Sequence, residues 1–95
     1  MATRAQLGTQ NLSSSDLNTV QSLTLPTGAQ AVRLYVVQVG TGDLLITHDG
    51  TTPTTTNGGV LSQGVYEFEG ALDKVRLING SSGGYRVYAV YYTDL

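Results

Sequence analysis

The only histidine in the chain, His48, is followed at once by an acid, Asp49, and serines stand elsewhere, so the residue types of a nucleophilic hydrolase are present. Their spacing argues against that chemistry. His48 closes an alternating run, Asp43 to His48, and neighbours on a strand point to opposite faces, so Asp49 cannot easily orient the imidazole as a triad acid does. Glu67 and Glu69 stand two apart on one strand face, the kind of carboxylate pair a glycosidase uses. They read instead as a solvated face opposite Tyr66 and Phe68, because nothing nearby promises the apolar pocket that would raise a catalytic acid's pKa. Gly40 and Gly42 do not make a phosphate loop, since Asp43 and a strand follow where a helix should begin. One His and no Cys rule out a zinc site built from this chain alone. Asp49 and the Thr and Asn oxygens after it offer hard ligands, but their spacing matches no EF-hand. The expectation is a protein without a catalytic, metal or cofactor site.

The elements that would hold these residues all read as strands. Ala31 to Val39, Asp43 to His48, Val65 to Glu69, Lys74 to Ile78 and Tyr85 to Thr93 carry the two-residue period. Val20 to Leu25 and Val60 to Ser62 are shorter. Gly40-Thr41-Gly42 reads as the turn of a hairpin between the second and third strands, and Asn79 to Gly84 as the turn before the last. No stretch shows a 3.6 period. Six or seven short strands separated by Gly, Pro and Asn indicate an all-β domain, an antiparallel β-sandwich or jelly-roll-like barrel over residues 20–95. Residues 1–19 are polar, with Leu7, Leu12 and Leu17 at a spacing that fits neither strand nor helix, and read as an extended N-terminal arm. Between Asp49 and Gly59 there is no aliphatic or aromatic side chain, which marks a long polar loop kept for contact.

Composition limits the partners. Ninety-five residues allow one domain. Charged residues make up 13%, half the usual share of about 25%. A formal net charge of -2 with five Lys and Arg argues against nucleic acid, and no window approaches the length of a membrane span. Without cysteine or an apolar leader the chain reads as made in a cytoplasm.

Two strands are apolar on both sides. Ala31 to Val39 carries Tyr35 and Val37 on one face and Val32, Leu34 and Val36 on the other. The last strand carries Tyr85, Val87, Ala89 and Tyr91 against Tyr88, Val90 and Tyr92. A thin core leaves such surface uncovered, and tyrosine suits an interface because its ring gives contact area while its hydroxyl tolerates water. The expected subunit interface is therefore Tyr35, Val36, Tyr85, Tyr88, Val90, Tyr91 and Tyr92, in a homo-oligomer.

The order of strand, GTGD turn, LLITHDGTTPTTTNGG, a short Gly-Val-Tyr strand and a final Tyr/Val strand resembles the small head proteins of tailed bacteriophages. These are the decoration (cement) proteins and the related head-spike base proteins, and the resemblance covers about Val20 to Leu95. It implies a non-enzymatic β-sandwich or jelly roll that oligomerises on the virion exterior, as a trimer or else a pentamer, and staples the major capsid protein. Leu7, Leu12 and Leu17 of the arm and Asp49, Thr51, Thr52, Pro53, Thr54 and Asn57 of the loop are then the candidate capsid contacts. A ring-forming neck or tail accessory protein, and a carbohydrate-binding module, are the other readings the residues leave open.

Overall fold

The computed structural model describes residues 4–94. Eight strands run in chain order: β1 (Arg4–Leu12), β2 (Gln21–Ser22), β3 (Ala31–Gln38), β4 (Leu44–Thr47), β5 (Gly59–Leu61), β6 (Gly64–Glu69), β7 (Arg76–Asn79) and β8 (Tyr85–Asp94). The helical content of the described residues is two single 3-10 turns, Asp16–Asn18 and Leu72–Lys74. The strands form two four-stranded antiparallel sheets, ordered β1-β8-β3-β6 and β2-β7-β4-β5. The protein is all-β, as the alternation predicts.

Alternation decides which side chains meet between the sheets. On β3 the buried residues Val32, Leu34 and Val36 face inward; on β7 Leu77 does so, and on β8 Val87, Ala89 and Tyr91. Leu44 and Ile46 come in from β4, and Tyr66 and Phe68 of β6 pack against the same cluster. Glu67 and Glu69 face out, as expected.

The N-terminal segment departs from the expectation of an arm. Arg4–Leu12 pairs with β8 along its length, Arg4 opposite Asp94 and Leu12 opposite Val87, with a bulge between Gln6 and Gly8. It then runs through the turn at Asp16, where Ser13 donates its backbone N–H to the Asp16 carboxylate (3.0 Å) and its hydroxyl accepts from the Asp16 N–H (3.1 Å). Leu12 and Leu17 are buried in the core at 3% and 0% exposure, which removes both as external contacts. The arm is an edge strand followed by a core-filling turn.

The expected hairpin is also replaced. β3 and β4 lie in different sheets, so Gly40 to Asp43 crosses from one sheet to the other, and Gly80 to Gly84 crosses back between β7 and β8. The two crossings nest at one end of the molecule. Val39 and Gly40 donate their N–H groups to the Gly84 carbonyl (3.0 and 3.1 Å), and Gly80 donates to the Asp43 carbonyl (2.6 Å). A β-carbon on Gly84 would sit 2.4 Å from the Thr41 carbonyl oxygen, and one on Gly42, where φ is 92°, would sit 2.6 Å from Ser81. Glycine is required at 84 because two backbones share the space of one, and at 42 by its positive φ and the Ser81 side chain.

Candidate functional site

The strand registers lay out the outer face of the β1-β8-β3-β6 sheet in rows. One row crosses all four strands as Asn11, Tyr88, Tyr35 and Val65. The Tyr88 and Tyr35 rings lie 6.0 Å apart at 45°, and Val65 is 57% exposed. The next row is Thr9, Val90, Arg33 and Glu67, in which Arg33 Nε donates to Glu67 Oε1 at 2.8 Å. Arg33 also reaches over the Tyr92 ring, 5.6 Å from its centroid, in a cation-π contact. Arg4 pairs with Glu69 and, at 3.1 Å, with Asp94. The result is a face of tyrosine and valine flanked by charges of both signs.

The expected interface residues divide by parity. Tyr35, Tyr88 and Tyr92 are half-buried on this outer face. Val90 is on it too, but its neighbours leave it 6% exposed. Val36, Tyr85 and Tyr91 face the core at 1%, 5% and 1% exposure, so they are structural and not interface residues. The Tyr91 hydroxyl donates to Gln10 Oε1 at 2.6 Å, and burial pushes it up to about 12 from 10.0. Val37, which alternation already sets beside Tyr35, joins the face opposite Arg86, and Val65 joins it opposite Tyr35, a place that follows from register and not from its own strand.

The outer face of the second sheet is different. Val60, Leu45 and Ile78 form a row across β5, β4 and β7, and Val20, one residue before β2, continues it on the register of Gln21 with Leu77. Val20 and Val60 are 40% and 57% exposed. The guanidinium of Arg76 in the neighbouring row donates to the carbonyls of Asp73 (2.8 Å) and Val75 (3.0 Å).

The polar loop is ordered by its own hydroxyls. Asp49 Oδ1 accepts from the Thr51 hydroxyl (2.5 Å) and N–H (3.1 Å), and these bonds, the side-chain one foremost, hold the carboxyl below the usual range. Asn57 Nδ2 donates to the Thr51 hydroxyl (3.0 Å), Thr47 donates its hydroxyl to the Thr51 carbonyl, and Thr54 and Asn57 exchange backbone bonds of 3.0 and 3.3 Å. Asp49, Thr51, Thr52, Thr54 and Asn57 are exposed, whereas Pro53 is buried. An open cleft of about 350 Å³ lies between the loop and the end of β4, lined by Thr47, His48, Asp49, Asn57 and Gly58 among others. Leu7, on the β1 bulge, is 37% exposed.

The residues with chemical potential are not brought together. The His48 ring packs on Phe68, centroids 4.7 Å apart, rather than on Asp49. Gly80-Ser81-Ser82-Gly83-Gly84 has the letters of a nucleophile elbow, which sequence reasoning overlooked, yet it joins two strands with no helix after it. Ser82 lies beyond β7 at the Leu44 end of β4, and His48 lies past the other end of that strand. Among the described residues no three His, Cys, Asp or Glu side chains group as metal ligands, and no helix is long and apolar enough to cross a membrane.

No family model, curated protein or solved structure matches the chain.

Proposed function

We propose that this protein is a non-enzymatic structural subunit that self-associates through the outer face of its tyrosine-bearing sheet and decorates the exterior of a phage-type capsid. The row Asn11, Tyr88, Tyr35 and Val65 carries the reading. Tyrosine and arginine are the residues enriched at interface centres, and here they stand together on one face that a lone chain leaves partly wet. The occupant is another copy of this chain: the face carries charges of both signs, Arg33 and Glu67 side by side, so a neighbour placed head-to-tail around a ring axis can set each against its opposite.

The strand pairing supports the finer fold. β1 pairs with β8, β2 with β7, β3 with β6 and β4 with β5, the pattern made by wrapping one long antiparallel hairpin into a jelly-roll sandwich. In such a fold the loop holding Asp49, Thr51, Thr52, Thr54 and Asn57 is an exposed polar surface suited to touch the major capsid protein. Decoration works by mass action, since a subunit that binds the assembled shell better than free capsid protein adds its binding free energy to the shell's stability. A trimer engages several capsid sites at once, which makes weak contacts effective.

Light scattering of the purified chain tests the first step. The expected result is a homotrimer that Tyr88→Glu converts to monomer with the melting behaviour of a folded domain. A monomeric wild type, or an unchanged mass for the variant, rejects the tyrosine face as the assembly surface. Co-sedimentation of the oligomer with heads tests the second, and an oligomer that leaves every head bare rejects decoration while sparing assembly.

A further inference from the structure

The chain contains two Asn-Gly pairs, Asn57-Gly58 and Asn79-Gly80, and the fold treats them oppositely. In such a pair the backbone nitrogen of the glycine can attack the asparagine Cγ, because no β-carbon blocks the approach. The N–Cγ bond forms, the Cγ–Nδ2 bond breaks, and ammonia leaves carrying the proton that the backbone nitrogen gives up. Water then opens the resulting succinimide at either carbonyl, giving aspartate or isoaspartate.

At Asn79 both partners are held. Its side chain is 8% exposed, its Nδ2 donates to the Ser14 carbonyl at 3.1 Å, and the Gly80 N–H is tied to the Asp43 carbonyl at 2.6 Å inside the nested crossings. The attacking nitrogen cannot turn toward Cγ without undoing that contact. At Asn57 the side chain is exposed, with one bond to the Thr51 hydroxyl (3.0 Å) to hold it. Among the described residues the Gly58 N–H donates to no turn or loop carbonyl. Asn11 and Asn18 precede Leu12 and Thr19, whose side chains crowd the attack.

We propose that Asn57 is a self-modification site, at which the folded protein converts the loop amide to a carboxylate while the buried Asn79-Gly80 pair stays intact. The product changes the loop as well as its charge. Asn57 Nδ2 is a donor to Thr51, whose own hydroxyl already donates to Asp49. A carboxylate at 57 loses that bond and faces Asp49 across the same hydroxyl, so the loop loosens and becomes one charge more negative on the surface that lines the cleft.

The test is peptide mapping of the intact folded protein held in mildly alkaline buffer over weeks, beside the same protein in concentrated urea. The folded arm is expected to show the amide-to-acid mass change and paired aspartate and isoaspartate peaks in the Asn57 peptide alone. The urea arm is expected to convert both Asn57 and Asn79. Retention of the Asn57 amide in the folded arm, or loss of Asn79 there at a similar rate, overturns the proposal. Asn57→Gln, whose longer side chain closes the ring far more slowly, should abolish the acidic species that accumulates on ion exchange; its persistence would also overturn it.

Discussion

The two sheets expose apolar surface of different kinds. The outer face of the first carries rings with hydroxyls, and its charges are paired: Arg33 with Glu67, and Arg4 with Glu69 and Asp94. The second carries an aliphatic row with one arginine folded back on its own backbone. Aromatic and paired charged groups lose little when water stays and gain contact when a partner arrives. The aliphatic row gains most from neighbours on the same sheet: Leu45, between Ile78 and Val60, is 7% exposed although it points outward. Exposure alone would not separate the faces, since Val60 and Val65 are equally open at 57%. Their surroundings do.

The largest break in that contrast is in assembly. Tyr35→Glu should weaken self-association by about a hundredfold, or about 3 kcal/mol, in sedimentation equilibrium. Val60→Glu should leave the association constant alone, and the reverse outcome would exchange the roles of the faces. Folding stability should run the other way. Leu45→Ala is expected to cost about 2 kcal/mol in urea denaturation, whereas Val65→Ala should stay within about 0.5 kcal/mol.

Two pH responses sharpen the picture further. Tyr91 holds its proton more tightly folded than unfolded, so its contribution is intact below pH 10 and lost as pH climbs toward about 12. Tyr91→Phe should flatten that alkaline fall in stability relative to the parent. The smallest effect belongs to the loop. Asp49 is held below its ordinary 3.8, so its bonds to Thr51 are present above that value and fail as pH drops beneath it. Protection of the Thr51 amide, its exchange measured against the intrinsic rate at each pH, should fall there in the parent and show no such step in Asp49→Asn.

The strands with a strong period were legible from the residues. Ala31 to Val39 and Tyr85 to Thr93 were found nearly to the residue, as was the division of Tyr66 and Phe68 from Glu67 and Glu69. β1 was not, because Gln6, Thr9, Gln10 and Asn11 give no apolar period and the bulge beside Leu7 shifts what remains. That strand is held by its ladder to β8, a partner far off in sequence. The tyrosines show the same limit. Parity alone separates Tyr85 and Tyr91 from Tyr88 and Tyr92, but which set faces inward depends on where the other sheet lies. The Gly40-Thr41-Gly42 turn fits a hairpin and a crossing equally well by its own residues, and the pairing of β3 and β4 with strands of different sheets tells them apart.

The interlocked crossings also bear on how the chain reaches this structure. Residues 40–43 and 80–84 come from opposite halves of the sequence, and each leans on the other's carbonyls. Neither can settle until the other has been made and brought to it, so this corner should be among the last parts to order and among the first to report on unfolding. A domain so dependent on distant partners is expected to fold slowly.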